Sequence, residues 1–183
     1  MEYIKHIMAI EGEWSENLNS KETIKSALDF LNENGKIESI FRKVSSQEAL
    51  YNYLDKVLQS RYKKYAIIYL SFHGTVNNIQ ISKTEIITLK QFAEDFKGAL
   101  KNKIIHFSSC STCRNTKSLE YFKKITNAEL VSGYKNDIGF IDSTLLDIGN
   151  FTLLQEYVKF GYIEKKLNTN YGTLCKRLGF IKV

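Results

Sequence analysis

Proline is absent from this chain of 183 residues, cysteine and histidine each occur three times, and tryptophan occurs once. Each scarcity removes a class of protein. A fold that needs a proline at a fixed place, such as a cis-proline beside a reactive cysteine, has none to use. Cys110, Cys113 and Cys175 are too few and too unevenly placed for a secreted disulfide framework. His6, His73 and His106 stand at no recognisable zinc-ligand spacing with those cysteines, so neither a metal nor an organic cofactor is expected. No apolar run approaches the roughly 20 residues of a membrane span. The apolar stretch in residues 1–14 is too short and too interrupted by charge for a signal peptide, which leads to the expectation of a cytoplasmic protein with no membrane contact.

The residues that are present describe an ordinary globular chain. With 43% hydrophobic and 25% charged residues it can bury one good core, and a single domain over residues 1–183 is expected. The net charge of +6 invites a nucleic-acid reading, but only Arg61 to Lys64 and Glu164 to Lys166 are dense in charge, and no aromatic-basic motif accompanies them. A solvated lysine-rich surface accounts for the charge, so nucleic acid is not the expected partner.

Periodicity alternates between strand and helix. Residues 5–14 read as a strand and loop, a helix opens near Ser20 to Thr23 and ends at Asn34-Gly35, and residues 37–44 alternate as an edge strand. Ser46 then begins a helix carrying Leu50, Leu54, Val57 and Leu58. Residues 65–72 and 103–109 are unbroken apolar runs, the pattern of central parallel strands covered on both faces. Between them the sequence predicts a small hairpin within residues 77–88 and a helix over about 89–99. Beyond them it predicts a helix on Leu119, Phe122 and Ile125, a strand over 128–132, a loop from Gly133 to Ser143, a helical stripe from Leu145 to Phe160, a last helix near Tyr171 to Leu178 and a short apolar tail. Short connections between such elements indicate a three-layer α/β fold with a mostly parallel central sheet between helices.

Ligands in open α/β sheets bind beyond the carboxyl ends of the strands, and His73 and Cys110 follow the two most apolar strands. A thiolate is the attacking form of cysteine, and a neighbouring imidazole can generate it. Gly74 lets backbone approach a substrate carbonyl, so its N–H and that of Cys110 are candidates for an oxyanion hole. Taken singly, a histidine at a strand end and a small buried cysteine need no function; together, at matching positions, they point to a catalytic dyad. His106, inside its strand, reads as a packed core histidine. Cys113 is placed at the first turn of the following helix, either a spectator or a partner of Cys110 in a regulatory disulfide. Trp14, Tyr134 and Phe140 lie near strand ends and carry no assigned role.

The segments IIYLSFHG (67–74), KIIHFSSCST (103–112) and LVSGYKNDIGFIDSTLLDIGNF (130–151) together resemble the caspase and separase (CHAT) group of cysteine peptidases, and also a family of short uncharacterised bacterial proteins with the same pattern. In that group one strand ends in His-Gly, the next parallel strand ends in the nucleophilic cysteine, and a later loop shapes the pocket for the substrate side chain. The resemblance implies a cysteine endopeptidase acting on a protein or peptide, working in a bacterial stress or defence pathway and awaiting an activating partner. It also implies that Asp137 or Asp142 receives a basic substrate side chain, although Asp142 equally suits a helix N-terminus. Ser109 and Ser111 flank Cys110 in place of the Gln-Ala-Cys-Arg-Gly type of caspase signature, so cleavage after aspartate is not implied.

Two other readings remain. Cys110 to Arg114 resembles the redox motif of thioredoxin-like proteins, but it comes late in the chain and lacks the cis-proline that motif requires. A caspase-like fold can also serve as a binding or scaffold module whose basic surface recognises nucleic acid or an acidic protein, for which an intact His73 and Cys110 pair would be unnecessary. A phosphate-cradling cysteine loop is excluded by the three residues between Cys110 and Arg114, where five are needed.

Overall fold

The computed structural model describes residues 4–15, 17 and 19–183. In chain order its elements are β1 (Ile7–Glu11), α1 (Lys25–Gly35), β2 (Ser39–Lys43), α2 (Gln47–Val57), β3 (Ile67–Ser71), β4 (His73–Thr75), β5 (Asn78–Gln80), β6 (Ile86–Thr88), α3 (Leu89–Asp95), β7 (Ile104–Ser108), α4 (Thr116–Thr126), β8 (Leu130–Tyr134), α5 (Phe140–Glu156), α6 (Phe160–Leu178) and β9 (Phe180–Lys182). The main sheet has the order β2-β1-β3-β7-β8-β9, with every neighbour parallel except the antiparallel pair of β8 and β9.

All residues of β1, β3, β7 and β8 are buried, as continuous apolar runs covered on both faces require. The period of two divides their side chains between two cores. Met8, Ile10, Ile68, Leu70, Ile105 and Phe107 meet the buried stripes of α2, α3 and α4. Ile7, Ala9, Ile67, Tyr69 and Ile104 face α1, α5 and α6. The result is three layers, helices on both faces of a mostly parallel sheet. Among the described residues no helix is long and apolar enough to cross a membrane.

Helix starts follow ordinary capping. Ser46, Thr88 and Asn115 accept backbone N–H bonds at the openings of α2, α3 and α4. At helix α1 the residue in the cap position, Ile24, has no side-chain acceptor, and Thr23 Oγ1 accepts the Lys25 N–H at 3.2 Å instead. The fully buried carboxylate of Glu11, at the end of β1, accepts the Ile24 N–H at 2.8 Å and the Thr23 hydroxyl at 2.8 Å.

Several boundaries differ from those read in the sequence. Residues 73–88 form a three-stranded antiparallel sheet, β4-β5-β6, that begins at His73. Gly133 and Tyr134 belong to β8, and α5 starts at Phe140, so the expected loop of eleven residues shrinks to 135–139. The Tyr134 side chain is fully buried, which holds the strand beyond its apolar run. Ser143 and Thr144 return their hydroxyl hydrogens to carbonyls of the preceding turn and sit inside the helix. The last helix is longer than its apolar stripe because α6 continues through a break at Tyr171 (φ −133°, ψ 23°). The apolar tail is β9, paired with Ser132 to Tyr134.

β7 begins beside an unusual lysine. Lys103 is 6% exposed, and its ammonium donates to the carbonyls of Tyr65 (2.7 Å) and Val57 (3.3 Å). Burial lowers its pKa from 10.5 to about 8. The folded state therefore releases a proton more readily than the unfolded chain, and between those two values stability rises with pH. Unfolding titrations should show wild type gaining on Lys103→Met by about 1–2 kcal/mol over that interval, less than the full shift would give because solvent screens part of it; parallel pH profiles for the two proteins would contradict this account.

Candidate active site

β3 and β7 pair in register, Ser71 opposite Ser108, so the two residues that follow each strand leave the sheet at the same level. His73 and Cys110 are the second residues past those ends. Both line one cavity of about 190 Å³, together with Trp14 from the chain after β1 and Phe140 from the start of α5. β1 leads to β2 on one side while β3 lies on its other side, so the sheet order reverses here, as it does at ligand crevices of open α/β sheets.

The imidazole is held from behind. His73 Nε2 lies 2.9 Å from the carbonyl oxygen of Trp14, and the indole packs edge-on against the imidazole at 5.1 Å between centroids. A carbonyl only accepts, so this bond puts the hydrogen on Nε2 and leaves Nδ1 with its lone pair free to take a proton. Trp14 is fixed in turn: its indole N–H donates to Glu11 Oε1 at 2.8 Å and its ring meets Phe140 at 5.8 Å. One buried carboxylate therefore fixes both the start of α1 and the support of the histidine.

Cys110 is partly buried. Its Sγ accepts the Ile138 N–H at 3.4 Å and lies 3.7 Å from the Ile138 carbonyl oxygen. The turn that carries it is clamped to the chain after β8. Ser111, at φ 55°, donates its N–H to Asn136 O at 3.0 Å and its hydroxyl to Asp137 at 2.6 Å, while Arg114 donates to Ser111 Oγ at 2.7 Å. Gly74 approaches the same turn so closely that an added Cβ would overlap Thr112 Oγ1 and lie 2.7 Å from the Cys110 carbonyl oxygen. Val76 and Asn77 form a two-residue hairpin loop between Thr75 and Asn78, which puts the Gly74–Ile79 pair at a non-hydrogen-bonded position and turns the Gly74 N–H away from β5.

The residues suggested for a basic substrate group lie elsewhere. Asp137 is engaged by the Ser111 hydroxyl, and Asp142, in the first turn of α5, pairs with Arg177 at 2.8 Å; neither lines the cavity with Cys110. Cys113 precedes α4, which opens at Thr116 behind the Asn115 cap, and is not on its first turn. It is fully buried, and burial pushes its thiol up to about 12.

His106 is a core residue, fully buried, in a polar cluster that the sequence did not reveal. Its Nε2 lies 2.6 Å from Asp147 of α5 and its Nδ1 2.8 Å from Ser132 Oγ. Asp147 also accepts the hydroxyls of Tyr69 (2.7 Å), Ser108 (2.8 Å) and Tyr134. Burial first, and then the Asp147 charge, hold both phenols well above their usual 10, so they remain donors. The sequence signals for these positions were slight: a carboxylate closing the apolar strand IMAIE, a lone tryptophan after it, and an aspartate inside an apolar helical stripe. Among the described residues no three His, Cys, Asp or Glu side chains converge into a metal-binding group.

In the folded protein at about pH 8, where an ordinary thiol is partly ionised, iodoacetamide should add once, at Cys110, and Cys110→Ala should remain unmodified until the chain is unfolded. Peptide mapping that finds the adduct on Cys113 of the folded protein would contradict this placement.

No curated protein sequence matches the chain. The family of unknown function DUF6642 matches it over residues 4–182, nearly its whole length, and the chain therefore belongs to that family.

Proposed function

We propose that the chain is a caspase-like cysteine endopeptidase with His73 and Cys110 as its catalytic dyad. The observation that carries this reading is that both residues open on one cavity, two residues beyond paired strands, with the imidazole pinned through Nε2 and its Nδ1 left as a base. The thiol exchanges its Ile138 partner for the imidazole and gives its proton to Nδ1. The thiolate then attacks the peptide carbonyl carbon, forming a C–S bond while the carbonyl electron pair moves to oxygen. The Gly74 and Cys110 amides steady that oxyanion. Collapse breaks the C–N bond, the leaving amine takes the proton from His73, and water activated by the same imidazole hydrolyses the thioester.

A dithiol couple is the rival reading for the same cysteine. The pKa of Cys113 near 12, set by burial, and the packing of its sulfur against Gly133 weigh against Cys113 as an exchanging partner. The test is hydrolysis of an internally quenched peptide library. Cys110→Ala should abolish turnover, His73→Ala should lower kcat/KM by about 10²–10⁴-fold, and Cys113→Ala should retain most of the activity. Hydrolysis that survives Cys110→Ala, or a library left uncut by the wild type, would overturn the assignment.

A further inference from the structure

A second cavity lies at the free edge of the main sheet and shares no lining residue with the one that holds His73 and Cys110. β2 is the edge strand, and Ile40 and Arg42, two residues apart on it, share the face that α2 covers. No strand lies beyond β2, so a hollow of about 160 Å³ remains between this face, α2 and the turn Ser60–Tyr62. Its floor is apolar. Met8 and Val57 there are almost fully buried, and Ile40 is partly buried. Its walls are the rings of Tyr53 and Tyr62, and its charges are Arg42 and Lys56.

The cations around this hollow are unusual in number and in what they lack. Arg42 and Lys56 both lie over the Tyr53 ring, 5.7 and 5.5 Å from its centroid, and Arg61 lies over Tyr62 at 4.9 Å. One cation over an exposed ring is ordinary surface packing. Here three gather around one apolar depression, and among the described residues no carboxylate lines it or pairs with any of the three. Arg42 Nη1 donates to the Phe41 carbonyl at 2.7 Å, which anchors the guanidinium and leaves its Nε and Nη2 for another acceptor. Two like charges that share one ring repel each other, and a single anion placed against both relieves the repulsion.

We propose that this edge hollow is a binding site for a small organic acid, a single carboxylate on a one-ring or short branched apolar body. The carboxylate pairs with Arg42 and Lys56 at the rim, and the body covers Met8, Ile40 and Val57. Size agrees with this: a cavity of roughly 150 Å³ encloses one benzene ring, and the hollow measures about 160 Å³. A neutral body of the same shape would leave the two cations unmatched, and a bare anion would leave the apolar floor wet. Occupancy of this site does not depend on the peptidase reading.

The test follows the NMR methyl signals of Met8, Ile40 and Val57 while the full chain is titrated with phenylacetate, phenylacetamide, acetate or inorganic phosphate. Phenylacetate should shift these methyls saturably, at a concentration at least about tenfold below that of each of the other three. Arg42→Met and Lys56→Met keep the apolar stems and remove the charges. Each should weaken phenylacetate about three- to tenfold and leave phenylacetamide unchanged. Phenylacetamide binding as tightly as phenylacetate, or acetate or phosphate doing so, would overturn the site. So would phenylacetate binding that neither substitution weakens, or the absence of a saturable shift at these three methyls.

Discussion

The in-register parallel pairing of β3 with β7 is the constraint on which the site depends. Two apolar strands of equal length, hydrogen-bonded from Ile67 with Ile104 to Ser71 with Ser108, must end at the same height. A slip of one residue would send every side chain of one strand to the opposite core. The two cores differ: one takes Leu70 and Phe107 against α3 and α4, and the other takes Ile67, Tyr69 and Ile104 against α1, α5 and α6. The packing of six helices thus fixes the register, and the register fixes where His73 and Cys110 emerge.

Two buried carboxylates then convert strand ends into a shaped cavity. Burying a charge without partners is expensive, and both are fully provided for. Glu11 takes an indole N–H, a hydroxyl and a backbone N–H, while Asp147 takes two phenols, a hydroxyl and an imidazole. Glu11 ties Trp14 and the start of α1 to β1. Asp147 ties α5 to β3, β7 and β8 at once, and α5 supplies Phe140, Ser143 and Thr144 to the cavity wall. Truncating either acceptor would leave several buried donors without partners, a larger penalty than the loss of any single bond. Both walls of the cavity are thereby set by polar groups, although the molecule's two cores are apolar.

The sheet, its layers and the placement of His73 and Cys110 side by side beyond paired strands were legible in the sequence because they rest on long apolar runs and on residues shortly after them. The shorter elements were not. β4 has three residues and β9 only three, too few for alternation to show, and both owe their pairing to the chain that meets them. Gly133 and Tyr134 read as loop because a glycine usually marks one; here Gly133 makes room for the sulfur of Cys113, and Tyr134 finds its partner thirteen residues away in Asp147. Asp137 and Asp142 were visible as acidic residues in the right region, but their partners, Ser111 and Arg177, come from different parts of the chain. Sequence periodicity reports which face a residue takes within its own element, and these contacts lie between elements.

The most direct measurement of whether His73 and Cys110 act as one unit is intact-mass labelling with a peptidyl acyloxymethyl ketone, which alkylates a cysteine only after productive attack. The account predicts a single adduct on Cys110 in the wild type and a labelling rate lowered by about 10²-fold or more in His73→Ala. Equal labelling of Cys110 in the two proteins, or an adduct on another residue, would contradict it.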